Sequence, residues 1–324
     1  MRTTSPVRFM LVLSALVALG AGVLRSQALS TVGGKAGAPF RTGFGPRGIA
    51  MGNALVAVTD GALTAYYNPA VLPFQDVAWA GASVSFLSLD RHLNALTFVQ
   101  PLRPQAGFSL SVLNAGVGGI EERNRDGIQT GTLSTSENAF LFSFALRPDP
   151  AVSLGLTAKL LYYPLYSGVT STTAGLDVGF LIRLSDSWSV GGTLQDLNSR
   201  YRWETSSLYG QNGASTIDRF PVRRQIGVAW HAKEAGMTVA AAYENTAGLS
   251  LLKAGAEYSL LGSFAVRAGI DQMSTDRAVS ARPSFGASFG TAVGGVPVRM
   301  DYAFQYDPYG PGGMHVVSLS AAFK

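Results

Sequence analysis

Apolar and polar residues alternate along most of the chain from residue 77 onward. Large apolar side chains occupy the even positions of residues 140–147, and the same period of two recurs in residues 176–184, 252–260 and 298–307. Each segment has about ten residues, one apolar face and one polar, glycine-rich face, which is typical of a membrane-spanning strand. A soluble β-sandwich also alternates, but its strands are usually only about 5–6 residues long. The pattern predicts an all-β protein whose strands face lipid on one side and a lumen on the other.

Fourteen such segments follow one another, and the connections between them support that count. Short connections follow segments 4, 6, 8, 10 and 12, whereas long polar connections, residues 115–136, 197–222 and 272–283, follow segments 3, 7 and 11. Short periplasmic turns, longer outer loops and an even strand number are typical of outer-membrane barrels, which pair every backbone group by closing. We therefore predict a 14-stranded antiparallel outer-membrane β-barrel over residues 77–324. The segments are 77–89, 93–100, 106–114, 137–147, 152–163, 173–184, 188–196, 223–231, 237–244, 250–259, 264–271, 284–292, 296–306 and 314–323.

Aromatic and charged residues fit this arrangement. Trp79, Trp188 and Trp230 fall at the short-turn ends, where a periplasmic aromatic girdle is expected. The predicted lumen-facing row carries charges of both signs, which favours internal ion pairs that brace the wall. Its charged members are Lys159, Asp177, Arg183, Lys253, Glu257, Arg267, Arg299 and Asp301.

Composition and the first residues indicate export to the outer membrane of a Gram-negative-type bacterium. Only 14% of the residues are charged, against roughly 25% in an ordinary soluble domain. Arg2 and Arg8, the apolar run 9–24 and the small residues around Ala28 predict a signal peptide over residues 1–28. Without its three arginines, 22 basic residues remain against 20 acidic ones, which leaves no case for nucleic-acid binding.

Residues 29–76 do not alternate and are predicted to form a small helical plug at the periplasmic end of the barrel. Pro46 suits the first position of a short helix, and Gly52 suits its end. Asp60 is expected to cap a second helix over residues 61–67, which must stop before Asn68 because a proline follows.

The plug segment contains the pattern Gly45-x-Arg47-x-x-x-Met51-Gly52-x-Ala54-x-Val56-Ala57-x-x-Asp60-x-x-x-x-Ala65-x-x-Asn68-Pro69-Ala70-x-Leu72. This pattern resembles the N-terminal signature of the PorV/PorQ family, which looks like a branch of the FadL-like fourteen-stranded barrels. The resemblance implies one of two roles. PorV-like barrels receive exported cargo in type IX secretion and pass it to surface-attachment machinery, whereas FadL-like barrels carry hydrophobic small molecules across the outer membrane. Secretion or surface assembly with partner proteins is the main expectation here, and transport of a hydrophobic ligand is the alternative.

The residues of this pattern are expected to be structural. Inside a barrel, buried charges and amides need partners, so Arg47 and Asp60 are expected to pair with each other or with lumen charges. The Asn68 side chain can close a turn before the proline. The plug residues singled out are Arg47, Met51, Gly52, Asp60, Asn68, Pro69 and Ala70.

The outer loops are the expected docking surface for a partner protein. Aromatic residues dominate the hot spots of protein interfaces, so Trp203, Tyr209 and Phe220 are predicted partner contacts. Packing of the loop on itself is the other explanation for the same residues. Ligand transport predicts an apolar pocket in the lumen, whereas the charged row describes a polar lumen. A plain porin is disfavoured because the plug occupies the channel.

The sequence predicts neither enzymatic activity nor a cofactor. Residues 286–290 match the G-x-S-x-G nucleophile motif around Ser288, with Asp301 and His315 following in hydrolase order. That motif needs a strand–turn–helix, but the match lies inside a period-two run. The three histidines lie on separate segments without metal-ligand spacing, and the absence of cysteine excludes disulfides and thiolate metal sites. Outer-membrane lipid is the one partner that the barrel itself requires.

Overall fold

The computed structural model describes residues 34–166, 168–260, 262–274, 279–308 and 310–323. The predicted signal peptide lies outside these residues. Within them, fourteen strands form one closed antiparallel barrel in which β1 pairs with β16, as predicted, and β8 and β9 leave the wall as a separate hairpin between β7 and β10. The strands are β1 (Ala78–Phe86), β2 (Arg91–Leu102), β3 (Ala106–Arg123), β4 (Gln129–Asp149), β5 (Val152–Tyr166), β6 (Val169–Arg183), β7 (Trp188–Leu197), β8 (Arg200–Glu204), β9 (Ser215–Arg219), β10 (Arg223–Ala232), β11 (Met237–Thr246), β12 (Leu249–Leu260), β13 (Phe264–Met273), β14 (Arg282–Val293), β15 (Val296–Tyr306) and β16 (Gly313–Phe323).

The two ends of the barrel differ in their connections. The start of β1 and the end of β16 lie at the same end, together with short turns such as residues 150–151 and 294–295. The opposite end carries the β8–β9 excursion over residues 198–222. Because short turns are periplasmic and longer connections are extracellular in outer-membrane barrels, the short-turn end is the periplasmic end and the other is the outer end.

The alternation in the sequence corresponds to the two faces of the wall. Phe142 and Met300 are 50% and 58% exposed on the outside, whereas their neighbours Ser143 and Asp301 are buried in the lumen. An apolar exterior is stable in lipid, and the closed hydrogen-bond ladder leaves no strand edge to solvate. The predicted all-β fold class and the direction of the apolar face are both confirmed.

The prediction that Trp79 belongs to the periplasmic girdle is wrong. Trp188 and Trp230 are cross-strand partners on the lipid-facing surface of the barrel, with ring centroids 6.3 Å apart. Trp79 instead shares the lumen-facing parity of Ser83, and the Arg299 guanidinium lies 5.0 Å from its ring centroid. Proximity to the correct end of a strand does not decide which face a side chain takes, because each step along the strand reverses the face.

Two predicted outer loops contain regular structure. Residues 115–136 form the outer part of the β3–β4 hairpin, whose ladder continues beyond a register shift near Gly119 to a tip at residues 124–128. Because the residues of this extension are mostly polar, it lacks the alternation of apolar and polar residues from which the strands were predicted. Residues 197–222 contain the β8–β9 hairpin and the short helices Ser206–Tyr209 and Gly210–Asn212. A further short helix, Lys233–Ala235, lies in a periplasmic turn.

Residues 34–76, here called the plug, lie inside the barrel as a series of short helices. Gly45 precedes the helix that Pro46 begins, and Gly52 follows it with a φ of +60°. The second predicted helix is shorter than expected, and Asp60 does not cap it, because the Asp60 carboxylate binds Arg47 instead. No helix of the described residues is long and apolar enough to cross a membrane. The plug helices are Pro39–Arg41, Pro46–Ala50, Leu55–Ala57, Thr64–Tyr67 and Pro69–Phe74.

Candidate functional site

The plug contacts the wall through glycines that face the lumen. A Cβ built on Gly269 would lie 2.3 Å from the backbone N of Gly52, and one built on Gly255 would lie 2.3 Å from the Met51 carbonyl oxygen. Only glycine allows the plug backbone to approach the strands so closely. Six of these glycines form directly opposed cross-strand pairs, Gly155–Gly179, Gly191–Gly227 and Gly255–Gly269. The glycine belt is Gly107, Gly155, Gly179, Gly191, Gly227, Gly255, Gly269 and Gly286.

Asn68 connects the plug to itself and to the wall. Its Nδ2 donates to the Val56 carbonyl at 2.7 Å and to the Phe180 carbonyl at 2.9 Å, and its Oδ1 accepts from the Ala70 backbone N–H at 3.0 Å. The side chain therefore closes the turn around Pro69 and also bonds to β6. Pro69 and Ala70 lie directly against the belt, because a Cβ on Gly155 would reach within 2.5 Å of their backbone.

Arg47 is the centre of a second attachment. Its Nη2 lies 2.7 Å from Glu257 Oε1 on β12, and its Nη1 lies 3.1 Å from Asp60 Oδ2 within the plug. Arg47 thus pairs with both Asp60 and a lumen charge. The Asp60 side chain is about half exposed, and the Arg47 guanidinium and His231 outweigh its partial desolvation and hold the pKa of its carboxyl well below the usual range.

The ion pairs around Arg47 continue along the wall. Glu257 also binds Arg267, whose Nη1 lies 2.7 Å from Asp301 Oδ1, and Asp301 lies 3.5 Å from Arg299 Nε. Three guanidiniums face three carboxylates in this set, so their formal charges cancel. Removing one member would leave a buried charge without its partner, which is far more costly than the intact pair. The plug network is Arg47, Asp60, Glu257, Arg267, Arg299 and Asp301.

Part of the outer half of the lumen is lined by large apolar side chains, which the charged row in the sequence did not predict. Inward-facing Leu113, Leu141 and Leu161 on β3, β4 and β5 pack against Phe40 of the plug and Phe220. These side chains border a cavity of about 10 Å³. The outer chamber is defined by its apolar lining residues Phe40, Tyr66, Leu113, Ala139, Leu141, Leu161 and Phe220, and Lys159, Gln195, Asp196 and Arg223 also line it.

Charged groups beside the outer chamber are already paired. Lys159 Nζ lies 2.7 Å from Asp177 Oδ1 and 2.8 Å from Asp196 Oδ1. Arg223 Nη2 and Lys253 Nζ lie 3.1 and 2.7 Å from the same oxygen of Glu244. Seven of the eight charges predicted for the lumen row are thus ion-paired, and of these eight Arg183 alone has no carboxylate within 4.0 Å among the described residues.

Arg41 of the plug lies beside this second set of charges. Its Nη1 donates to the Ala36 carbonyl at 2.7 Å. Burial and, to a smaller extent, the neighbouring Arg223 lower the pKa of Arg41 to about 10. The guanidinium still carries its charge at neutral pH, so it adds a positive charge next to Asp196 and Glu244.

An aromatic cluster covers the outer chamber. The Tyr201 ring lies 5.3 Å from Tyr163 and 5.0 Å from Phe220, and Trp203 packs against Tyr163 and donates its indole N–H to Asp218 at 2.7 Å. Phe220 is only 5% exposed, so its predicted role as a partner contact is wrong for this conformation: the ring is needed to close the chamber. Tyr209 is 64% exposed and remains a predicted contact.

The hydrolase-like motif is not assembled into a triad. Ser288 and Asp301 are cross-strand partners in the lumen, where the Arg267 guanidinium binds both. His315 lies on the lipid-facing side of β16, with Nδ1 2.9 Å from the Tyr302 hydroxyl. The wall separates the histidine from the serine, so the required proton transfer between them has no path.

The glycine belt and the outer chamber were both missed in the sequence. The signal for the belt is a glycine near the middle of the inward row on most strands, such as Gly155 and Gly255. The signal for the chamber is the leucine at the inward positions 113, 141 and 161, among rows that are otherwise small or polar.

Comparison with known proteins supports the fold. No protein-family model matches the sequence, and no curated protein matches it. Among solved structures, the toluene transporter TodX of Pseudomonas putida has a TM-score of 0.59 at 13% identity, covering 92% of this chain and 98% of that chain. The toluene transporter TbuX of Ralstonia pickettii has a TM-score of 0.58 at 13% identity, covering 87% and 98%. A FadL homologue of Pseudomonas aeruginosa has a TM-score of 0.56 at 14% identity, covering 85% and 97%.

The similar structures support the fold assignment, and the wall and plug described above define the topology. The chain is an outer-membrane β-barrel of fourteen strands with the architecture of FadL-type channels.

Proposed function

We propose that this barrel carries uncharged hydrophobic small molecules across the outer membrane. The observation that supports the proposal best is the outer chamber, whose lining on the outer side of the plug is mostly apolar and includes Phe40, Leu161 and Phe220. Small-molecule sites are concave and predominantly apolar. The cavity of about 10 Å³ is far smaller than a ligand, so binding requires Phe220 or Phe40 to move.

The surrounding charges favour a ligand without a carboxylate. Lys159 and Arg223 are each held by buried carboxylates of the wall. A fatty acid would have to draw one of these cations away from its partner, which would leave a buried carboxylate unpaired. A hydrocarbon makes no such demand.

The plug disfavours passage of hydrophilic solutes. Its backbone contacts the glycine belt on strands around the lumen, and Asn68 and Arg47 bond it to β6 and β12. A molecule that passes the plug must therefore travel between the plug and the wall, where the apolar side chains can repack behind it.

Protein secretion or surface assembly is supported only by the resemblance of the plug to the PorV/PorQ signature. The similar solved structures described above are FadL-type channels, two of them toluene transporters, so the transport proposal has the wider support. Within the secretion alternative, Trp203 and Tyr209 are the proposed partner contacts.

Ala139→Trp tests the transport proposal, with Ala158→Trp as its matched control. Ala139 is buried at the outer chamber, so an indole there would occupy the space that a ligand needs. Ala158 lies on the lipid-facing side of β5, where an indole fits without entering the lumen. We expect Ala139→Trp to lower the initial rate of toluene uptake by cells that express the protein about fivefold or more, and Ala158→Trp to leave it unchanged.

Two results would contradict the proposal. One is equal toluene uptake by the two variants when both are present in the outer membrane at the level of the unmodified protein. The other is a single-channel conductance typical of an open porin, which would mean that the plug does not close the lumen. Palmitate serves as the charged comparison, and uptake of palmitate in preference to toluene would overturn the argument from the paired cations.

A further inference from the structure

The periplasmic mouth of the lumen contains a cleft of about 360 Å³ that the transport proposal does not use. Phe74, the last residue of the plug helices, forms one wall of the cleft. Arg147 on β4 and Arg183 on β6 lie with their guanidinium carbons 5.2 and 4.6 Å from the centroid of the Phe74 ring. Arg103, on the turn between β2 and β3, completes the lining.

These arginines differ from the cations deeper in the lumen. Arg47, Lys159, Arg223 and Lys253 each have a carboxylate partner. Among the described residues, none of the three cleft arginines has a carboxylate within 4.0 Å.

Their hydrogen bonds leave most donors unused. Arg147 Nη2 donates to the Pro104 carbonyl at 3.0 Å, and Arg103 Nη2 donates to the Asp76 carbonyl at 3.1 Å. A guanidinium has five N–H donors, so both retain several. Asp76 supplies the single carboxylate of the lining, which leaves the cleft with a net positive charge.

From this geometry we infer that the cleft binds an acidic peptide segment of a periplasmic protein. Guanidinium groups bind carboxylates through paired, charge-assisted hydrogen bonds. Three guanidiniums along one cleft suit a chain that carries several carboxylates better than a single small anion. The lumen-facing parity of Arg147 and Arg183 places the site inside the rim, away from the lipid headgroups. The inference does not depend on what the barrel transports.

The test measures binding of a fluorescein-labelled hexaglutamate peptide to the full chain in nanodiscs, by fluorescence anisotropy. We expect saturable binding that weakens as salt is raised, because screening reduces the attraction between exposed charges. The double variant Arg147→Gln/Arg183→Gln should weaken binding at least about tenfold. The matched control, Arg123→Gln/Arg125→Gln at the outer tip of the β3–β4 hairpin, should bind as the unmodified protein does.

A second variant distinguishes a loss of peptide binding from a loss of plug structure. Phe74→Leu removes the ring on which the arginines stack but keeps both charges, so peptide binding should persist within about threefold. Equal binding by the double arginine variant and its control would overturn the inference. So would complete displacement of the peptide by about 1 mM inorganic phosphate, which would indicate a small-anion site, or by phosphatidylglycerol vesicles, which would indicate a lipid site.

Discussion

The plug is held differently on its two sides. Towards β12, β13 and β14, its backbone lies against Gly255 and Gly269, and Arg47 is bound to Glu257. Towards the seam where β1 meets β16, Leu63 of the plug and the small wall residue Gly81 both line a cavity of about 40 Å³. A rigid attachment on one side and unfilled space on the other mean that the easiest displacement of the plug is towards the seam.

The difference bears on how a molecule could pass the plug. On the β12–β14 side, any shift of the plug must break backbone contacts and a buried ion pair at once. At the seam, small side chains such as Ser318 and Ser320 line the space, and the cavity already exists. Interiors are close-packed, so an existing cavity marks where the smallest rearrangement opens a path. Three substitutions test this asymmetry.

Glu257→Gln is expected to have the largest effect. The change leaves Arg47 and Arg267 without their shared buried carboxylate, and breaking such a pair costs about 3–5 kcal/mol. We expect a loss of free energy of unfolding of about 3 kcal/mol, measured by urea denaturation in detergent micelles, and faster tryptic cleavage within the plug.

The control for Glu257→Gln is Glu121→Gln. Glu121 also pairs with an arginine, Arg123, but both side chains are about half exposed on the outer hairpin. Exposed pairs of this kind contribute about 0–1 kcal/mol. If both variants lost the same small amount of stability, the ion pair at Arg47 would not be an anchor of the plug.

Gly269→Ala is expected to have the next largest effect. The added methyl would lie 2.3 Å from the backbone N of Gly52, so the plug or β13 must shift. Overpacking of this kind typically costs about 1–3 kcal/mol. Gly290→Ala on β14 is the matched control, because its methyl would meet nothing nearer than 3.6 Å. The same urea assay should show the loss for Gly269→Ala alone, and equal stability of the two variants would refute the glycine belt as a constraint.

The wall was predictable from the sequence, and the contacts inside it were less so. Period-two alternation fixes which face of each strand meets lipid, so residues such as Phe142 and Met300 could be placed without a structure. The partner of a lumen charge could not, because pairing across strands depends on register and on the plug. Arg47 was expected to find a lumen charge, but nothing in the sequence indicates that the charge is Glu257.

The departures have a common cause. Asp60 was expected to cap a helix, Phe220 to face a partner and Trp79 to face lipid, each from local sequence alone. In the structure, Asp60 is bound by Arg47 and Phe220 packs on Tyr201, whereas the register of β1 directs Trp79 into the lumen beside Arg299. The local sequence limits the conformations and contacts that a residue can adopt, and tertiary packing determines which of them forms.

Gly81→Ala is expected to have the smallest effect of the three, and it tests the seam directly. Its methyl would lie 3.3 Å from Ser320 Cβ and 3.4 Å from Ala62 Cβ, both of them side-chain atoms beside an unfilled cavity. All of these glycine substitutions also restrict the unfolded chain, which favours the folded state by about 0.4–1 kcal/mol. At the seam this gain should nearly offset the tight contacts, so we expect a change of less than about 1 kcal/mol in the same urea assay. A loss as large as that of Gly269→Ala would mean that the seam is packed as firmly as the glycine belt, and the plug would then have no preferred direction in which to move.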